Sequence, residues 1–152
     1  MKVLVFSIGP DRYCLRLAAI SRVLPVVDLK HIPLAPDFVA GLLDLHGAPV
    51  PVIDLSRLAG QAAEQVWFDT RIILVDYPAG DGGPRQLGLQ AEHVIGIETL
   101  DEELFAEGGA TGAPFLGQVA SHPAGMLQLV EVDQLLSPAV RALLFQPAVA
   151  PP

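Results

Sequence analysis

The chain is short of charge, aromatic rings and cysteine. Only 17% of its 152 residues are Asp, Glu, Lys or Arg, and only 6% are aromatic. Cys14 is the single cysteine, so no intrachain disulfide can form, and a reducing compartment is the simple expectation. Basic residues are scarcer than acidic ones, 9 against 17, for a net charge of −8. Such a chain neutralises phosphates poorly, which argues against nucleic acid and anionic membrane as partners. No apolar run approaches the ~18 residues of a membrane span. The opening run Val3 to Ile8 is cut by Gly9 and Pro10, too soon for a signal peptide. These absences predict a cytoplasmic protein without membrane insertion.

Apolar residues, by contrast, make up 51% of the chain, and mean hydropathy is +0.47. A sequence of this length buries enough surface to fold without a staple. Val3–Ile8 and Tyr13–Leu17 read as a hairpin around Gly9-Pro10-Asp11, and Ile20–Val27 as a third strand. Pro36 opens a short helix predicted to reach about Asp44. HGAPVPVIDL, residues 46–55, alternates like a strand but holds Pro49 and Pro51. N–H groups of a strand point to alternate edges, so both prolines lack a donor on the same edge. That predicts a boundary strand, protected against aggregation or used for docking. Asp54 is placed to cap a last turn over Ser56–Ala59, with Gly60 as its stop.

Residues 61–69 form a connector, with Trp67 anchoring it to the core or to a partner. Arg71–Tyr77, Gln86–Ala91 and Val94–Leu100 read as three strands, the first two joined by the AGDGGP turn. Residues 101–114 read as an acidic, glycine-rich loop, followed by a hairpin around Ser121-His122-Pro123. Ser137-Pro138 is an N-cap and first-turn pair that opens a C-terminal helix, 138–145, and 146–152 reads as a flexible tail. Short strands at regular spacing predict an all-β fold of small barrels. A loose internal echo, CLRLAAISRV against QLGLQAEHVIGI, suggests two lobes, roughly 3–70 and 71–136, within one domain over 1–145.

No catalytic constellation emerges. His31, His46, His93 and His122 lack ligand spacing, so no metal or cofactor is expected. Cys14 has no neighbouring base and reads as a packed thiol. Asp101-Glu102-Glu103 reads as a solvated turn. AGDGGP joins two strands, whereas a phosphate loop leads into a helix. Three functions stay open on the residues alone: a protein-interaction adaptor, an interaction module with another partner, and a small-barrel enzyme using Cys14 or a His/Asp pair.

VLVFSIGPDRYCLRLAAISRVL, PDFVAGLLDLHGAPVPVIDL, TRIILV, LGLQAEHVIGI and MLQLVEVDQLL together resemble the CheW family of chemosensory coupling proteins, in order and spacing. The second segment is the most specific, matching P-x-F-x-x-G, then N-L-R-G, then V-P-V-I-D-L. The resemblance implies two SH3-like five-stranded β-barrels with intertwined chains. It implies a non-enzymatic adaptor that couples the cytoplasmic tip of chemoreceptors to the regulatory domain of a CheA-type histidine kinase. It places a receptor groove between the lobes, at Ile20, Arg22, Val23, Gly41, His46, Gly88 and Ile97. Three positions depart from the family pattern. His46 replaces an arginine, Arg22 stands where glutamate is common, and Glu92 replaces an aspartate. These departures suggest an alternative chemosensory pathway, such as surface sensing, pili or cyclic-dinucleotide output.

Overall fold

Residues 1–61, 66, 68–78, 83–107, 114–123 and 125–145 are described by a computed structural model. Trp67, most of the AGDGGP turn, the glycine-rich part of the 101–114 loop and the tail expected to be flexible lie outside them.

The fold is mostly β, as the strand spacing predicts. Strands β1 (Lys2–Ile8) and β2 (Asp11–Arg16) form the first hairpin, and β3 (Ile20–Pro25) follows a single 3-10 turn. Strands β4 (Val39–Leu45) and β5 (Ala48–Asp54) form a second hairpin, closed by helix α1 (Leu55–Leu58). Then come β6 (Arg71–Pro78), β7 (Pro84–Thr99), β8 (Phe105–Ala106), β9 (Leu116–His122), β10 (Gly125–Val130) and helix α2 (Pro138–Leu144).

Pairing does not follow chain order. One lobe joins β1, β2, β8, β9, β10 and the second half of β7; the other joins β3, β4, β5, β6 and the first half of β7. The lobes therefore exchange strands, and a division of the chain near residue 70 does not describe them. The parallel pair β10–β2 ties the end of the chain to its beginning. The expected strands 86–91 and 94–100 are one 16-residue strand, β7. It bends where His93 (φ 46°) and Gly96 (φ 149°) leave extended geometry, and there it passes between lobes.

Where a helix is expected over 36–44, the chain forms no helix, and from Val39 it is strand β4. Pro36 and the apolar spacing of FVAGLL favour a helix, but Gly41 at φ 148° breaks one, and His46-Gly47 turns the chain back. Both turn residues have positive φ (53° and 90°), the type I′ geometry that matches strand twist. The Asp44 carboxylate accepts from the Gly47 N–H at 2.8 Å and fixes the turn.

Register resolves the two prolines. The turn makes Leu45↔Ala48 a hydrogen-bonded pair, so Asp44↔Pro49 and Leu42↔Pro51 are non-bonded pairs. The missing donors therefore face away from β4, towards β7. There pairing covers only Val52–Asp54, beyond the prolines. The unpaired part of that edge borders a cavity of about 550 Å³ whose other walls include Leu143, Leu144 and Phe145. The edge is thus ended by proline chemistry and faced by the C-terminal segment.

One core cluster, including Phe6, Leu15, Ile53, Tyr77 and Leu89, joins the lobes, while Cys14, Val3, Val5 and Leu127 fill a smaller one. Asp54 caps α1 by accepting from Ser56 and Arg57 N–H groups, and Ser137 caps α2 by accepting from Val140.

Candidate functional site

The seven residues that the resemblance selects fall into three places. Arg22 pairs with Leu74, Leu74 with Gly88, Gly88 with Val52, and Val52 with Gly41. Three of the seven thus stand in one rank across the lobe's five strands. Ile20 and Val23 lie beside Arg22 on β3, which is the outer strand of this sheet. Ile97 lies in the other lobe, on the second half of β7, paired with Leu4. His46 sits at the tip of the β4–β5 hairpin, exposed, in left-handed geometry that costs a non-glycine residue about 1–2 kcal/mol.

Burial divides them further. Gly41 and Gly88 are buried. A Cβ on Gly41 would stand 2.6 Å from the Lys30 carbonyl oxygen and 2.9 Å from the Leu29 Cβ. The backbone of Lys30 needs that room, because it exchanges two hydrogen bonds with Leu42, at 2.9 and 2.8 Å. A Cβ on Gly88 would meet Val52 Cγ2 at 2.8 Å. Both glycines allow close approach inside the lobe and present nothing to a partner. Arg22 is exposed, Val23 is 41% exposed and Ile97 59%.

The structure adds residues to that surface. Ile95, 52% exposed, shares a face of β7 with Ile97, and Val27, 45% exposed, continues the chain beyond β3. The alternation in VIGI was the available signal for Ile95. Val27 carries no signal, because exposure of a β-branched residue past a strand end is not a pattern.

Glu92 lies at the crossing of β7 between the lobes. It accepts a 2.6 Å hydrogen bond from the hydroxyl of Ser56, a buried residue, and so ties α1 to the crossing. The next residue, His93, holds Asp69 through Nδ1 at 2.8 Å, and the Val94 N–H donates to the Asp69 carbonyl at 3.0 Å. His122 lies 2.9 Å from Glu98 and links β9 to the free side of β7. These two histidines have carboxylate neighbours, and no group of three or more metal-ligating side chains occurs among the described residues.

Cys14 is fully buried, and its thiol is pushed up to about 12, by desolvation above all. Arg16 opposes the shift and Glu98 adds to it. At neutral pH it is a thiol, poorly suited to nucleophilic attack. Asp101 caps a 3-10 turn by accepting from the Glu103 N–H, which accounts for the acidic run. No described helix is long and apolar enough to cross a membrane.

The family model described as "CheW-like domain" matches residues 2–140. A chemotaxis protein CheW of Klebsiella aerogenes is 26% identical over 150 residues, covering 92% of this chain and 84% of that protein. A chemotaxis protein CheW of Rhizobium meliloti is 31% identical over 101 residues, covering 66% of this chain and 62% of that one. The crystal structure of the scaffolding protein TtCheW from Thermoanaerobacter tengcongensis superposes with a TM-score of 0.80 at 26% identity. That match covers 91% of this chain and 94% of the other. The strand exchange and the two lobes are thus those of a known fold, and this chain belongs to the CheW-like domain family.

Proposed function

We propose that this protein is a non-enzymatic chemotaxis adaptor that couples chemoreceptors to a CheA-type histidine kinase. The observation that carries the reading is the family match over residues 2–140, joined to relatives that are themselves chemotaxis proteins. The local chemistry agrees with it. Cys14 is held as a thiol, and exposed apolar side chains stand on an outer strand and on β7. Such side chains suit a helix-in-groove contact. Ile20, Arg22, Val23 and Ile97 would touch the receptor tip, with His46 at the hairpin end. Gly41 and Gly88 would set the shape of the sheet behind them. The site of action would be cytoplasmic, at receptor arrays.

The finer part of the proposal is an alternative chemosensory pathway. Arg22 and His46 are both exposed, so their departures from the family pattern would change the charge a partner meets. Capture by two baits tests the coupling role: the receptor's cytoplasmic hairpin and the kinase regulatory domain. Retention of both in one complex is expected. Binding of neither by the folded protein would favour an interaction module with another partner. Restoration of ordinary flagellar chemotaxis in place of a standard coupling protein would refute the alternative-pathway part alone.

A further inference from the structure

Helix α2 is held to the molecule at few points. None of its seven residues is buried, and among the described residues no strand or other helix follows its backbone closely. Val140 and Leu144 reach the main core only in part, and Phe145, just past the helix, is buried in it. The Phe145 ring stacks on Tyr77, with centroids 5.4 Å apart and planes 15° from parallel. The Arg141 guanidinium carbon lies 5.9 Å from the centre of the same ring. Tyr77, fully buried on β6, is thus the point at which α2 is fastened.

That fastening has a cost. The Tyr77 hydroxyl and the Arg141 Nε are both buried without a hydrogen-bond partner. Buried polar groups are normally satisfied, and each one left unsatisfied opposes the docked state. Packing is also open on both sides of α2. Leu143 and Leu144 wall the cavity of about 550 Å³ beside β5. Ser137 and Val140 wall a second cavity, of about 650 Å³, that reaches Phe38 and Phe115. Isolated helices under about 12–15 residues are marginal in water, so α2 holds its shape by docking. Undocked, it unwinds, and water reaches both orphaned groups.

We propose that α2 and Phe145 form a releasable strap. They leave Tyr77 as one unit while the strands stay folded, and their release opens both cavities and bares the proline-ended edge of β5. The Tyr77 hydroxyl sets the balance: docking keeps it dry, and opening lets water satisfy it. The strap belongs to this chain alone and requires neither receptor nor kinase, so its test is independent of the adaptor reading.

The experiment is native-state hydrogen exchange of the full chain in low denaturant, read by NMR. The probes are the Arg141 N–H, which donates to the Ser137 carbonyl at 2.9 Å, and the Phe145 N–H, which donates to the Arg141 carbonyl at 2.8 Å. The reference amides are Ile73 and Val75 in β6. Both strap amides should share one protection factor, about a hundredfold or more below that of β6, and one denaturant slope smaller than the global one. Tyr77→Phe removes the orphaned hydroxyl and should slow exchange at both strap amides about fivefold or more. Ser137→Ala removes the helix cap and should speed both equally, by about fivefold. Strap amides that exchange only together with β6 overturn the proposal, because α2 is then part of the core. Protection that falls from Arg141 to Phe145 without a denaturant slope overturns it as simple fraying. So does unchanged strap exchange in Tyr77→Phe, or a Ser137→Ala effect that stops short of Phe145. Should Tyr77→Phe not fold, the shared slope and Ser137→Ala decide alone.

Discussion

At Gly41 a side chain has nowhere to go; at Val23, four strands across the same sheet, it is 41% exposed. Both positions match the family pattern. The first matches because the Leu29–Lys30 segment closes over β4, and only a hydrogen fits beneath it. The second lies on the outer strand β3, where the proposed receptor contact would be. A pattern shared with a family thus mixes residues that build a surface with residues that are the surface. Burial separates the two.

The sharpest way to break this comparison is Gly41→Ala. The new Cβ would press on the Lys30 carbonyl, and φ 148° is strained for any side chain. A loss of about 3 kcal/mol or more is expected, since strain of roughly 1–3 kcal/mol adds to the clash. For a chain of this size that is about 6–12 °C in Tm, read by calorimetry. Receptor affinity of the fraction still folded should change little. A variant as stable as the wild type would show that Lys30 can retreat and that the position is not a closure point.

Val23→Asp should give the opposite profile. An exposed substitution changes stability by about 0.5 kcal/mol or less. A charge placed in an apolar contact should weaken receptor binding about tenfold or more, about 1.4 kcal/mol, read by titration against the receptor hairpin. Unchanged affinity in a folded variant would remove β3 from the proposed groove. His46→Arg, which restores the family's cation, is the milder companion. It should raise affinity for a standard receptor tip without moving Tm.

Much of the fold was legible because strands advertise themselves. Val3–Ile8, Arg71–Tyr77 and the 116–130 hairpin alternate or run apolar, with turn residues between them. The misreadings share a cause. Gly41 and His93 take backbone conformations that no local pattern announces, since each depends on what packs against it. Gly41 turned an apparent helix into a strand, and His93 let one strand serve two lobes. The exchange of strands between chain halves is long-range pairing, which sequence order hides. The candidate site was legible only as a set of matching positions. Its division into buried glycines and exposed apolar residues needed the structure.

Cys14 and Val23 form a second contrast of interior with surface, and thiol reagents read it directly. With its thiol pushed up to about 12 and fully buried, Cys14 should stay unmodified in the native protein at pH 8 and react once the chain is unfolded. A cysteine placed at position 23 on a Cys14→Ser background should react at once. Rapid labelling of native Cys14 would reopen the small-barrel enzyme as a reading.

Asp54 stands between these extremes and carries the smallest expected effect. Its carboxyl is mostly buried, with a side-chain exposure of 13%, and burial raises its pKa. The Ser56 and Arg57 N–H groups and the Arg57 charge pull the other way, and Glu92 pushes up again. A raised pKa means that the folded state holds the proton longer than the unfolded one. Stability from this group is therefore fullest at acid pH and falls as pH rises from the ordinary aspartate value through the folded value. Asp54→Asn keeps an oxygen for the Ser56 and Arg57 N–H groups and removes the ionisation. Its Tm relative to wild type should become more favourable as pH rises through that window, then level off. Asp54→Ala loses the cap as well, at a cost of about 1 kcal/mol, and should show the same trend from a lower baseline. A Tm of Asp54→Asn that worsens relative to wild type as pH rises through that window would mean that the α1 N–H groups outweigh burial, placing Asp54 with the exposed caps rather than the interior.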